Sequence, residues 1–592
     1  MMTEKSRATL ALITCLIAGS SSALLHAEPV SNSVRLRQGW SQGESEWFHF
    51  TTQGSHFMPY AFFVALEQAG NRRPLNSPEF MEKFRCIPQS PTKMNPDGLP
   101  IGFVADPGSS VQPGLLRDNR SLGFTCAACH TSQITYQGTS MLIDGGPTMA
   151  DMDALIVAIK DAVLNTHAST EKFDRFADKV LGTESSLSKR ELLRKELRKT
   201  LKAQSAYIAM NKTSVRYGYA RLDAFGRIFN NALLAVGSDD RVKPDAPVSY
   251  PFLWDTVKSD CVQWTGNAKN GLIGSLGRNV GEVVGVFAAI DTGGGDRVPA
   301  GYGSSVNFKN LRRLETALHG LKSPHWPENI LPKIDQAKAR EGAKLFKTHC
   351  ASCHTKINWW SFLPFVKSFK SHLTPLNGAG GVATDRTAAA LIRDSRGDSG
   401  VLRGERKLFS LKQTYDRVEP VNVMVEDTVV RVLIGGLEGK RTAFNSINRA
   451  LMQGNDIATT DDVAEKDDLS RLMPTAAAEA TAEQQGSTLS KTPLVYRARP
   501  LDGIWATGPF LHNGSVPTLY HLLLPEKERP DSFHVGSREF DPVKVGPVTT
   551  EGEGTSHFDT SLKGNSNRGH DYGTSRMTDE QRWQLVEYMK TL

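Results

Sequence analysis

Two short stretches of this chain have residue types and spacing that can do chemistry: Cys126-Ala127-Ala128-Cys129-His130 and Cys350-Ala351-Ser352-Cys353-His354. Two thiols separated by two residues can add to both vinyl groups of one haem, and the histidine that follows at once can reach its iron. With 7 Cys and 15 His among 592 residues, random placement would give about 0.002 such motifs. A lone Cys-x-x-Cys could equally be a redox disulfide or half of a zinc site. The adjacent His, the duplication and the export signal described below favour two covalently bound c-type haems instead.

His130 and His354 are then proximal iron ligands, and function turns on what stands opposite each. A second strong ligand makes an electron carrier, whereas an open position admits oxygen or peroxide. For the second haem the sixth ligand is expected in the loop before the last helix, where His570 and Met577 lie. His570 is favoured, because Met577 directly precedes the capping Thr578 and can pack as a staple. The first haem has no comparable candidate; His167, His319 and His325 are isolated residues of a kind more often found in surface hydrogen bonds. The expectation is an open His130 haem beside a closed His354 haem, a catalytic centre with its own electron reservoir.

Several elements must position these groups. Residues 1–27 read as a cleaved secretory signal, with Lys5 and Arg7 ahead of a short apolar run and Leu25-His26-Ala27 at the cleavage site. No later stretch is apolar for long enough to span a bilayer, so the expected location is the periplasm or the exterior, with no stable membrane anchor. Cys15 leaves with the signal and four Cys go to haem. Cys86 and Cys261 remain, as a disulfide or as two buried thiols. The formal net charge is only +7, and Lys and Arg are scattered, which argues against nucleic acid.

The mature chain is far longer than two bare cytochrome c domains of about 100 residues each. The expected class is mainly α, with two cytochrome c-type haem domains, 28–330 and 331–592, and extensive loop-rich insertions. Helices are predicted at Met149–Leu164, Thr170–Ala206 as one long or two shorter ones, Ala220–Leu234, Asp335–His349 and Thr578–Leu592, the last with a Thr578/Gln581 capping box. Ile143-Asp144-Gly145-Gly146-Pro147 reads as a turn, and Asp461–Ser490 as an exposed insertion. Between Pro244 and Asp291 the chain becomes Gly-rich and aromatic, and Trp254 and Trp264 are candidates for the wall of the first haem pocket.

The stretch from Tyr496 to Pro517, with Arg497, Arg499, Gly508-Pro509-Phe510-Leu511-His512-Asn513-Gly514-Ser515, resembles the C-terminal signature of the bacterial di-haem cytochrome c peroxidase superfamily. More closely it resembles the branch holding secreted rubber oxygenases and periplasmic di-haem fatty-acid dioxygenases and diol synthases. Phe124–Thr131, Ile143–Gly146 and Gly564–His570 look like that branch too. The resemblance implies an oxygen-binding N-terminal haem and a bis-His C-terminal haem, with Tyr496 near the latter. By residue type, His512, Arg497 and Arg499 are candidates for binding propionates or positioning that haem. One departure stands out: rubber oxygenases place an adjacent Phe-Trp pair over the oxygen-binding haem, and no Phe-Trp dipeptide occurs here.

Together these readings lead to an oxygenase that takes dioxygen and an unsaturated lipid, foremost a monounsaturated fatty acid, and forms a hydroperoxide or a diol. A peroxidase is the alternative. It requires electrons from a small periplasmic electron-transfer protein and an acid-base group over the open haem. A pure electron-transfer cytochrome would require a protein ligand on both sides of both irons.

Overall fold

The computed structural model describes residues 33–108, 111, 114–270, 274–292, 301–354, 369–378, 380–408, 413–452 and 493–592. Residues 1–27, expected as a secretory signal, and 461–490, expected as an exposed insertion, lie outside these. Helices dominate, and the strands are gathered in nine small sheets, none wider than three strands, among the described residues.

The first haem motif sits between strands. Strand β1 (Val34–Arg35) pairs in parallel with β6 (Thr139–Asp144), which forms a hairpin with β5 (Thr131–Tyr136). The hairpin turn is Gln137-Gly138, both at positive φ (47° and 79°), the backbone that a two-residue turn matched to strand twist requires. A second sheet runs β2 (Met58–Pro59), β4 (Arg120–Phe124), β3 (Phe103–Pro107), and β4 delivers the chain to Cys126. Ile143 and Asp144, expected in a turn, still belong to β6; the chain bends only at Gly145, whose φ is +72°.

The expected helices form with small shifts of their ends. Helix α1 (Gln42–Phe50) opens the N-terminal region, followed by α2 (Met152–Ala168), α3 (Thr170–Leu181) and α4 (Leu187–Met210). The basic and acidic run after Thr170 is thus two helices, parted by Gly182 at φ 53°. Leu155, Ile159 and Val163 of α2 meet Phe173, Phe176, Leu193 and Leu197 in one apolar cluster. Helices α5 (Ala224–Ala235), α6 (Gly274–Gly285) and α7 (Phe308–Leu318) precede α8 (Gln336–His349), which leads into the second haem motif. Helix α9 (Val421–Met452) packs on α5 and α6.

The last helix, α10 (Asp579–Lys590), starts with both halves of the Thr578/Gln581 capping box formed. It crosses α8 at Gly342. A Cβ there would fall 2.0 Å from the Gln584 carbonyl oxygen, so only glycine lets the two backbones approach this closely. The cluster under this crossing joins Ile134, Met141 and Ile143 of the first hairpin to Trp505, Leu585 and Met589. One core therefore serves residues from both halves of the chain.

Candidate functional site

Around the second motif, α8 is capped by Asp335, whose carboxylate accepts from Ala337 N and Lys338 N at 3.0 Å. The helical path continues through Cys350, whose carbonyl accepts from His354 N at 3.0 Å. His354 Nδ1 is 2.7 Å from the Arg499 carbonyl oxygen. A carbonyl only accepts, so the proton is on Nδ1 and the Nε2 lone pair is free for a metal. Burial keeps this imidazole neutral by lowering its pKa.

Facing it is His570, with ring centroids 6.2 Å apart. Metal–imidazole bonds are about 2 Å long, so two ring nitrogens can share one ion across this gap. His570 lies at φ 57°, just after Gly569 at φ 78°. Its N–H donates to the Val382 carbonyl at 2.7 Å, and a Cβ on Gly569 would fall 2.3 Å from that same oxygen. Arg529 Nη1 donates to the Asn567 and Gly569 carbonyls at 2.6 and 2.8 Å, which ties the loop down. Met577, the other candidate, is buried in the core with Leu585 and Val586.

The two imidazoles border a cavity also lined by Cys350, Cys353, Tyr496, Arg497, Arg499 and His512. Tyr496 and His512 stack with centroids 4.1 Å apart, and burial holds His512 at about 4. Arg497 Nη1 donates to the Cys261 carbonyl at 2.7 Å, and Arg499 Nη2 to the Phe252 carbonyl at 3.0 Å. Both Nε atoms lack a partner. Burial drives both guanidinium pKa values down, that of Arg499 furthest. Two desolvated cations whose bonds go to neutral carbonyls are costly to hold. An anionic ligand would relieve that cost, and haem carries two carboxylates, so this cavity fits the group.

Around the first motif, Thr125 caps the turn Cys126–Ala128: its hydroxyl accepts from Ala127 N at 3.2 Å and donates to the His49 carbonyl at 3.0 Å. Gly102 is pressed against this turn: a Cβ there would fall 2.2 Å from Ala128 N. His130 Nδ1 is 2.6 Å from the Pro251 carbonyl oxygen, the same arrangement as at His354. Burial lowers its pKa to about 4. Behind it, His49 and Asp144 form a buried pair at 2.6 Å.

No second imidazole faces His130 among the described residues as His570 faces His354. Glu282 of α6 lies close instead: it helps burial push both the Cys126 and Cys129 thiols up to about 12. Its side chain keeps accessible surface, and Gln263 Nε2 donates to its carboxylate at 3.5 Å. Burial raises its pKa, with Arg278 pulling the other way. Phe57 and Phe124, whose tilted rings lie 5.5 Å apart beside the motif, meet Phe287 at 4.7 and 6.0 Å.

The two tryptophans have different surroundings. Trp254 is fully buried, stacked on Phe252 at 4.7 Å and donating to the Asp502 carbonyl at 2.7 Å. Trp264 lines the cavity of His354 and His570 and donates to the Ser249 carbonyl. Cys86 and Cys261 are both free buried thiols; Cys86 lies near Arg538 and Cys129, Cys261 near Ser371 and Arg497, so no disulfide joins them. Pro251, Phe252, Glu282 and Arg529 escape a reading by residue type. Only the aromatic character around Tyr250–Trp254 pointed their way.

A family described as RoxA-like, cytochrome c-like matches residues 495–534, the segment that carries Tyr496, Arg497, Arg499 and His512. The Sinorhizobium fredii protein y4iJ is 31% identical over 614 aligned residues, 94% of this chain and 93% of that one. A second protein of the same organism, y4iM, is 25% identical over 62% of this chain and 69% of its own length. A mitochondrial cytochrome c1 haem protein of Arabidopsis thaliana is 36% identical over 59 residues, 10% of this chain and 19% of that one. No helix among the described residues is long and apolar enough to cross a membrane. Aligned over nearly its whole length, the chain belongs to the same family as y4iJ, and it carries a RoxA-like, cytochrome c-like domain with covalently bound haem towards its C-terminus.

Proposed function

We propose that this protein is an exported haem-dependent oxidoreductase with two covalently attached haems, which inserts dioxygen into an unsaturated lipid, foremost a fatty acid. The observation that carries this reading is the inequality of the two motif histidines: His354 has an imidazole opposite, and His130 has none among the described residues. Bound haem would supply the redox chemistry and, where a single imidazole holds it, a place for dioxygen.

The chain's own residues do the rest. Cys126 and Cys129 anchor the first group and Cys350 and Cys353 the second. The Pro251 and Arg499 carbonyls accept the Nδ1 protons of His130 and His354, which fixes each ring and points Nε2 at the metal. His570 closes the second site to small ligands. Arg497, Arg499 and His512 receive the acidic edge of the second group, with Tyr496 packed on His512. The rings of Phe57, Phe124 and Phe287 give the first site an apolar flank that suits an acyl chain and excludes water. A dioxygenase keeps both oxygen atoms and needs no net electrons, so the second site serves to set or restore the redox state of the first.

Glu282 favours a second reading, peroxide reduction, because a carboxyl of raised pKa beside the first motif is what proton transfer to peroxide needs. One experiment separates the two. Purified protein is reduced without oxygen, exposed to oxygen with and without oleic acid, and followed by absorbance and oxygen electrode. Fatty-acid-dependent oxygen uptake supports the oxygenase. No uptake, with fast peroxide turnover against a reduced small cytochrome, rejects it for the peroxidase.

A further inference from the structure

The two motif histidines are joined by an unbroken chain of covalent and hydrogen bonds. His130 Nδ1–H donates to the Pro251 carbonyl at 2.6 Å, and that carbonyl carbon is bonded to the nitrogen of Phe252. The Phe252 carbonyl accepts from Arg499 Nη2 at 3.0 Å, and the carbonyl of Arg499 itself accepts from His354 Nδ1 at 2.7 Å. Three hydrogen bonds therefore connect rings from opposite halves of the chain. The Arg499 side chain is the part that crosses between them.

The surroundings hold this crossing rigid. The Arg499 guanidinium lies 3.7 Å from the Phe252 ring centroid and 4.9 Å from that of Trp264. It is buried, and its charge is felt at His130. A guanidinium keeps its donors in a fixed planar fork, so the bond to Phe252 is held in one geometry. Propionate binding alone would not require a hydrogen bond to the residue next to Pro251.

We propose that Arg499 is the electron bridge between the two haem sites, through its Nη2 bond to the Phe252 carbonyl. The proposal rests on the reading of two haems with the second as reservoir. Electrons tunnel further through bonds and short hydrogen bonds than through gaps, and this route has no gap. In each transfer one electron leaves the ferrous second iron and enters the ferric first iron, so the second is oxidised and the first reduced. No proton moves, since the Nδ1 protons of both histidines face carbonyls that cannot take them.

The test uses the full-length haem-loaded protein, with two haems per chain verified by pyridine adduct absorbance and the midpoint potentials of each variant measured to correct for driving force. A photoreductant delivers one electron to the second haem, and its passage to the first is timed by absorbance. Arg499→Met, of similar reach but without donors, should slow the corrected transfer about ten-fold or more. Arg499→Lys, with charge and a donor, should recover part of the rate, and Phe252→Leu, with its carbonyl intact, should leave it unchanged. An unchanged rate in Arg499→Met overturns the bridge while the two-haem reading stands. No transfer in the unaltered protein overturns the reservoir reading, and the bridge with it. If Arg499→Met fails to retain both haems, a slow Phe252→Leu beside a normal Arg499→Lys shows that ring packing carries the electron, and the bridge is overturned.

Discussion

The Cys126–His130 stretch leaves one strand and enters another, whereas Cys350–His354 continues a helix, yet both histidines are held in the same way by a distant main-chain carbonyl. The likeness ends on the opposite side. His354 faces His570 across 6.2 Å, while Cys126 and Cys129 have the Glu282 carboxyl near them and the Phe124 and Phe287 rings beside the motif. The lesson is that each motif positions its own histidine, and what that histidine faces is set by segments that reach it from elsewhere. His570 reaches the second site on a loop clamped by Arg529. Glu282 reaches the first on α6.

The largest expected effect removes the difference outright. His570→Ala should open the second site, so that the reduced protein binds two carbon monoxide molecules per chain where the unaltered protein binds one. A count of one in both proteins would show that something other than His570 closes that haem. Next comes Glu282→Gln. If the carboxyl handles protons of peroxide, turnover of peroxide should fall by about 10²–10⁴-fold, with oxygen uptake driven by fatty acid changed far less. Equal losses in both assays would place Glu282 in the structure of the pocket and not in the chemistry.

How much of this was legible depends on whether the information is local. The two motifs, the α8 and α10 helices and the Thr578 cap are written in contiguous residues, and the structure forms them within a few positions of where periodicity puts them. His570 could be picked out because it sits between a glycine-rich loop and the last helix. The groups that hold the imidazoles could not, since Pro251 and Arg499 act through their carbonyls, which every residue has. Glu282 looks like any polar residue on a helix until the fold sets it near Cys126 and Cys129. Trp254 is a pocket candidate because it lies in a Gly-rich aromatic stretch, but the fold puts its large ring in the core, stacked on Phe252. Cys86 and Cys261 were two thiols left over by arithmetic, and arithmetic carries no distance.

Two glycines offer a matched pair of smaller perturbations. Gly342→Ala would force a Cβ to 2.0 Å from the Gln584 carbonyl oxygen, and Gly102→Ala to 2.2 Å from Ala128 N. Overpacking of this kind costs about 1–3 kcal/mol or more. Gly342→Ala should lower haem attachment at Cys350 and Cys353 and spare the first motif, and Gly102→Ala should do the reverse. Mass spectrometry of the two haem peptides reads both outcomes. Because the core under the α8–α10 crossing also contains Ile134 and Met141 of the first hairpin, loss of both haems in Gly342→Ala would mean that the sites fold as one unit.

The smallest effect is a pH dependence confined to the second site. Burial holds His512 at about 4 in the folded protein, with Asp385 pulling weakly the other way, against about 6.5 in the unfolded chain. Above pH 6.5 the ring is neutral in both states and its contribution to stability is complete. Between pH 6.5 and 4 the unfolded chain takes up a proton that the folded ring refuses, so stability falls as pH falls, by at most about 3 kcal/mol. Below pH 4 both states are protonated and the loss levels off. His512→Phe keeps a ring to stack on Tyr496 and removes the proton. Its urea midpoint should therefore fall less than that of the unaltered protein between pH 7 and 4.5. If the two proteins lose stability in parallel, the acid sensitivity belongs to groups outside the Tyr496–His512 stack, and the second site is not where acid first acts.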